Sequence, residues 1–258
     1  MKTIYIMATG PSINDITDDE WDYLKDKETI GFSFFPFKDK KTKYHLAAES
    51  IKFDKFCLDR MKENGFTDTI IYTHKRDTRL YSKKLGFTVN KFDVIKAIPS
   101  LDDNVWVSGN EKPIRLLKNY AKTLSEPLVH YKCQLTTAIN LAYTMKPTEI
   151  RLCGVELNSN KYFYDDYKEL ETLISYHEKV NREVLKKHKD WDINKHHPTA
   201  HPFFNSWHDA KLATIVEYLR ELNKEMKEEG INMCVCTKNS LLYTDAEIEY
   251  KGIMDVDI

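Results

Sequence analysis

The chain has no apolar run approaching the roughly 20 residues that a membrane-crossing helix needs; its longest apolar stretches are strand-sized. It also lacks a block of charge of one sign. Lys and Arg total 39 against 40 Asp and Glu, and the net charge of -1 argues against a nucleic-acid partner. The opening MKTIYIMATGPS lacks the long apolar core of a secretory signal. These absences predict a cytoplasmic protein, leaving open peripheral contact with the inner face of a membrane and homo-oligomerisation. The five cysteines are odd in number and, as with Cys153, Cys234 and Cys236, fall mostly in predicted helices and strands. They read as reduced core residues rather than a disulfide framework. There is no Walker loop, G-x-G-x-x-G turn, G-x-S-x-G elbow or H-E-x-x-H helix, and no internal repeat.

With 258 residues, 41% of them hydrophobic, the chain is long enough to bury a full core, and one domain over 1–258 is its natural reading. Apolar runs at Thr3–Ala8, Thr29–Ser33, Tyr44–Ala48, Thr69–Thr73 and Phe87–Phe92 read as strands. Thr17 is placed to cap a helix through Leu24, and another helix is predicted over Phe53–Lys62. Leu135–Met145 reads as an apolar helix, and Glu149–Val155 as the central strand. This alternation predicts an α/β fold: a Rossmann-like, mainly parallel sheet with helices on both faces. Two long helices are predicted at Tyr167–Lys187 and Asp209–Glu228, then a strand at Ile231–Cys236 and an acidic tail. The irregular segment 188–208 between the helices reads as part of a small lid subdomain over about 156–208.

Three clusters could carry chemistry. Ala8-Thr9-Gly10-Pro11-Ser12 follows the first strand, where open α/β sheets bind ligands. Gly10 would let the backbone approach a ligand, and free N–H groups or the Ser12 hydroxyl could meet a phosphate, although Gly-Pro-Ser is also ordinary turn chemistry. Glu156, Asn158, Tyr162 and Tyr164 follow the central strand, and tyrosine hydroxyls can donate to a phosphate where no metal is bound. The competing reading makes Tyr162, Phe163 and Tyr164 packing residues. The third cluster is His196-His197-Pro198-Thr199-Ala200-His201-Pro202 with Trp207-His208-Asp209, where a histidine could serve as general base. The prolines beside His197 and His201 oppose a helical zinc pair. Asp190-Trp191-Asp192 and Asp255-Val256-Asp257 match D-x-D metal sites formally, but neither follows a core strand and the second reads as frayed.

Taken together, the Gly10-Pro11-Ser12 loop, the stretch Thr136–Tyr164 with Glu149-Ile150-Arg151-Leu152-Cys153-Gly154, the helix after His208, and Cys234-Val235-Cys236 leading to Asn239-Ser240-Leu241-Leu242 resemble one family. It is that of the small bacterial sialyltransferases of glycosyltransferase family 42. The resemblance implies a GT-A-variant fold and metal-independent transfer of sialic acid, or a related ulosonic acid, from a cytidine monophosphate (CMP) donor to a glycan hydroxyl. A role in lipooligosaccharide or capsule synthesis would follow. By position it implies that Thr9, Gly10, Ser12, Ser33, Thr137, Gly154, Glu156, Asn158, Tyr162, Asn239 and Ser240 line the nucleotide and donor site. His208 would be the base and His201 its alternative, with no metal ligands and no cofactor. This chain departs from the family where Thr9 and Ser33 replace asparagines, where a third asparagine falls near Glu49, and where Asn158 aligns with the first phosphate tyrosine. Those changes put the donor sugar in doubt. Two other functions compete: a Mg-dependent, pyrophosphokinase-like nucleotide enzyme, and a non-catalytic nucleotide- or carbohydrate-binding protein.

Overall fold

A computed structural model of the chain describes residues 1–47, 51–74, 87–96, 116–171, 174–175, 179, 192, 195–200 and 213–255. Strands β1 (Thr3–Met7), β2 (Glu28–Phe32), β3 (Tyr44–Ala47), β4 (Ile70–His74) and β5 (Thr88–Phe92) follow one another outward across a sheet. β6 (Val94–Lys96) and β7 (Leu128–His130) pair with each other as a separate parallel ribbon. β8 (Glu149–Cys153), β9 (Asn232–Val235) and β10 (Glu249–Tyr250) then complete the main sheet on the far side of β1. Its order is β10-β9-β8-β1-β2-β3-β4-β5, with every pairing parallel.

Strand alternation divides the core between the two faces. Ile4 and Ile6 of β1 point into one cluster with α3 (Gln134–Thr144) and α4 (Ile215–Glu228), whereas Tyr5 and Met7 point into another. That second face holds Trp21 and Leu24 of α1 (Asp18–Leu24), together with Phe34, Phe35, Phe37, Phe163 and Tyr164. Beside it, α2 (Ile51–Glu63) packs Leu58 and Met61 on Ala47 and Ile71. With both faces covered, β1 and β8 are buried along almost their whole length, and the two charged residues of β8, Glu149 and Arg151, are paired with each other. No helix among the described residues is long and apolar enough to cross a membrane. None of the five cysteines, all of them among the described residues, forms a disulfide, and Cys57, Cys153 and Cys234 are buried.

Two expectations are corrected. The helix predicted at Asp209–Glu228 begins at Ile215: Thr214 is extended (φ -68, ψ 164), its hydroxyl accepts from the Glu217 N–H, and Glu217 reaches back to the Thr214 N–H. This capping box fixes the start at Ile215. The acidic tail does not trail away through Asp255. Glu249–Tyr250 adds a strand to β9, and Arg151 Nη1 donates to the carbonyls of Gly252 (2.6 Å) and Ile253 (2.8 Å). Glu149 sits between Arg151 Nε and Lys251 Nζ, each at 2.6 Å, in a buried ionic triad. Asp255 is not frayed either, since its carboxylate accepts from the Gly252 N–H at 2.7 Å. The predicted helix at Tyr167–Lys187 shows a 3-10 turn at Lys168–Leu170, and most of its remainder lies outside the described residues.

Candidate active site

From β1 the chain moves one way to β5 and returns on the other side with β8, so the strand order reverses between β1 and β8. Such a switch point opens a crevice where parallel sheets bind ligands. Thr9, Gly10 and Ser12 follow β1, Ser33 follows β2, Gly154, Glu156, Asn158 and Tyr162 follow β8, and Asn239 and Ser240 follow β9. The topology brings all of them to one edge. Thr137 lies in the first turn of α3, whose other end reaches the amino edge, where Lys2 Nζ donates to the Met145 carbonyl at 2.7 Å. His201, His208 and Glu49 lie outside the described residues.

The two switch-point loops stay paired beyond their strands. The Ala8 N–H donates to Cys153 O at 2.9 Å and the Gly10 N–H to Gly154 O at 2.8 Å. Both glycines are dictated by this approach: a Cβ on Gly10 would stand 1.6 Å from Glu156 Oε2, and one on Gly154, at φ +71, would stand 2.5 Å from Ile13 Cγ1. Glu156 is 5% exposed and accepts from the Ser12 N–H through Oε1 at 3.1 Å, while its buried Oε2 has no hydrogen-bond partner among the described residues. Burial pushes the Glu156 carboxyl above the usual carboxylate range, against the opposing pull of the Ser12 hydrogen bonds. The expectation of free N–H groups in this loop is therefore corrected. The Gly10 N–H is bound to Gly154, Pro11 has none, the Ser12 N–H meets Glu156, and the Ile13 N–H donates to Gly10 O. A carboxyl placed there suits hydroxyl or amide groups of a ligand better than a phosphate.

Other expected site residues hold the loops in place. The Ser240 hydroxyl is buried, donating to Val155 O at 2.6 Å and accepting from the Leu242 N–H, where it caps α5 (Leu241–Thr244). Asn158 Nδ2 donates to Asn239 O at 2.6 Å, which ties the β8 and β9 loops together. Thr9 O accepts from the Phe163 N–H at 3.0 Å, and the Ser33 carbonyl accepts from the Cys57 thiol. Thr137 is fully buried, its hydroxyl 3.0 Å from His130 Nδ1. At the start of α3, Lys132 adopts φ +58, and burial holds its ammonium down to about 8 against the opposing influence of Glu217.

Tyr162 stands at the other end of the β8 loop. Phe163 and Tyr164 are buried, more deeply than the half-burial the packing reading expected, whereas Tyr162 is half-buried and stacks on Tyr164 with ring centroids 5.1 Å apart. Its hydroxyl meets His197 Nε2 at 2.8 Å, and His197 Nδ1 meets the Thr199 hydroxyl at 2.8 Å. The His197 N–H donates to Leu157 O, fastening this segment to the β8 loop. Sequence reasoning placed His197 in a histidine-rich cluster without assigning it a role, and passed over Thr199. Their signal was weak: a His-Pro-Thr turn, visible here as the 3-10 turn Pro198–Ala200. Among the described residues no group of three or more His, Cys, Asp or Glu side chains is placed to hold a metal ion.

No protein-family model matches the chain, and no curated protein matches it in sequence. A solved structure, the sialyltransferase CstII from Campylobacter jejuni in complex with the substrate analogue CMP-3FNeuAc, is similar to it over 100% of this chain and 89% of that one. Identity is 15% and the TM-score 0.44, a likeness that carries no functional argument.

Proposed function

We propose that the chain is a glycosyltransferase that moves sialic acid or a related ulosonic acid from a CMP donor to a glycan hydroxyl, without a metal or other cofactor. One observation carries this reading: the loop that leaves β8 at the topological switch point holds a buried carboxyl, with one oxygen unpartnered among the described residues, and further along a hydrogen-bonded tyrosine hydroxyl. The sequence resemblance of the Gly-Pro-Ser loop, the tyrosine-bearing loop and the Asn-Ser turn supports it. In this assignment Glu156 meets hydroxyl or amide groups of the nucleoside, and Tyr162 donates to the phosphate as the glycosidic bond to the sugar breaks. A neutral donor aimed at that developing charge does work that a metal would otherwise do. His208, with His201 as alternative, takes the acceptor's hydroxyl proton while the anomeric carbon gains positive charge.

A thermal-shift panel of CMP, UDP, GDP and ATP, each with EDTA or with Mg, tests the reading. CMP in EDTA is expected to stabilise the fold by about 2.7 kcal/mol at roughly 100 times its Kd. A shift that appears only with Mg, or only with a triphosphate, sinks the assignment. His208→Asn is expected to bind CMP normally and lose at least about 100-fold in kcat. Wild-type turnover with a dead His201→Asn moves the base to His201.

A further inference from the structure

β8 and β9 each lead into a cysteine at the carboxyl edge of the sheet. Leu152 of β8 lies beside Val235 of β9 in parallel register, and one residue further along each chain segment stand Cys153 and Cys236. The Cys236 N–H donates to Leu152 O at 2.9 Å, so the ladder runs on and sets the two cysteines side by side. Their side chains share a face, where Cys236 packs against the cluster that holds Tyr5, Met7, Cys153 and Ile253. Neighbouring strands are about 4.8 Å apart, within the range of roughly 4.4–6.8 Å between Cα atoms that a disulfide spans. The two thiols interact: Cys236, ahead of burial, pushes the Cys153 thiol well above the usual thiol range. Cys153 is 1% exposed and Cys236 half-buried, so a small oxidant in solvent meets Cys236 first. On its other side Cys153 holds β1. Its carbonyl accepts from the Ala8 N–H at 2.9 Å, and the next carbonyl, of Gly154, accepts from the Gly10 N–H at 2.8 Å.

We propose that Cys153 and Cys236 are a redox pair, closed by hydrogen peroxide into a disulfide between β8 and β9, and that closure loosens the join between the loops after β1 and β8. In the first step the Cys236 sulfur attacks one peroxide oxygen and the O–O bond breaks. Cys236 becomes a sulfenic acid, and the other oxygen leaves as water with the thiol's proton. The Cys153 sulfur then attacks the Cys236 sulfur, the S–O bond breaks, and the hydroxyl departs as water with the Cys153 proton. Two electrons pass from the thiols to the peroxide, and a reducing dithiol reopens the bond by exchange. Side chains that leave adjacent strands in parallel start about 4.8 Å apart, whereas a disulfide holds its Cβ atoms about 3.8 Å apart. Closure therefore draws Cys153 toward β9, and with it the two carbonyls that hold the Ala8 and Gly10 N–H groups.

Hydrogen peroxide treatment of the intact chain, followed by digestion without reductant and mass spectrometry, tests the bond. The expected product is a disulfide-linked pair of peptides carrying Cys153 and Cys236, lost on reduction with dithiothreitol. Oxygen added at Cys236 with no link, or a link through Cys57, Cys133 or Cys234 instead, overturns the proposal. Amide exchange followed by nuclear magnetic resonance tests the consequence. The Ala8 and Gly10 N–H groups are expected to exchange at least about 10-fold faster in the oxidised chain than in the reduced one, and to regain their protection after dithiothreitol. Equal or slower exchange overturns the coupling between the thiols and the β1 loop. Cys236→Ser, with Cys153→Ala as a second control, is expected to form no link and to keep the exchange rates of the reduced chain under peroxide. Faster exchange in those variants would trace the change to oxidation elsewhere and overturn the proposal. Neither readout depends on what the site binds.

Discussion

Glu156 is a buried acid whose two oxygens differ in their surroundings, one hydrogen-bonded to the Ser12 N–H and the other with no partner among the described residues. Its pKa is raised by burial. A raised acid contributes stability that is fully present below its unfolded pKa of about 4.3 and is lost as pH rises through the folded value. At neutral pH the ionised form is thus a cost that Glu156→Gln avoids. That variant is expected to melt no lower than the native chain at pH 7, yet bind CMP at least about 10-fold more weakly, because the amide presents a different pattern of donor and acceptor. A large drop in melting temperature with CMP affinity intact would make Glu156 structural only. His45 of β3 is a second buried titratable group, 1% exposed, with Nδ1 unpartnered and its imidazole held down to about 3 by burial. Here the sign reverses. As pH falls from about 6.5 toward 3, the unfolded chain takes up a proton that the folded one refuses, and stability drops by up to several kcal/mol. His45→Leu should therefore shift the acid-unfolding midpoint, followed by fluorescence, to lower pH. An unchanged midpoint would show that other groups govern acid unfolding.

At the scale of elements, the loops after β1 and β8 act as one unit, joined by Gly10 N–H to Gly154 O and by Ser12 N–H to Glu156. Gly10→Ala drives a methyl into Glu156 Oε2 and Gly154 O, the latter 2.6 Å from the new carbon. Because one neighbour is backbone, side-chain movement alone cannot relieve the overlap. The variant is expected to lose about 1–3 kcal/mol in denaturant titrations, together with CMP binding. Retention of both would mean that the loops separate freely. β1 to β4 were legible as short, mainly apolar runs bounded by turn residues, and β1 through β5 all lie within a residue or two of where the sequence puts them, although β5, Thr-Val-Asn-Lys-Phe, is largely polar. β10 was not, since Glu249 and Tyr250 carry no apolar alternation and become a strand only by lying beside β9. The start of α4 was legible but misread: Thr214-Ile215-Val216-Glu217 is a capping box in plain sequence, whereas the helix was expected to begin at Asp209. Residues such as Gly10 and Glu156 could be nominated singly from the loops they occupy. That Glu156 would close the N–H groups of the Gly10-Pro11-Ser12 loop depends on a contact between residues 144 positions apart, which no local pattern records.

On the scale of the whole molecule, the sheet is assembled around a strand whose two neighbours come from very different parts of the chain. β1 pairs with β2 over the register Ile4 with Glu28, but with β8 over Thr3 with Glu149. Until residues 149–153 have been made, the second edge of β1 has no partner, and an apolar parallel strand with an open edge invites pairing with other chains. Closing that edge also costs loop entropy before any contact repays it, so the β1–β8 junction is a natural late event. Pulse-labelled hydrogen exchange during refolding should protect amides of β2 and β3 before those of β8 and β9; simultaneous protection would argue for a single concerted collapse. The switch point that opens a crevice for a ligand is thus also a seam in time: the side of the site contributed by Gly10 exists as soon as β1 is laid down, and the side contributed by Glu156 arrives last. A ligand that bridges the two would act on folding as well as on chemistry, holding shut the joint that the chain completes latest.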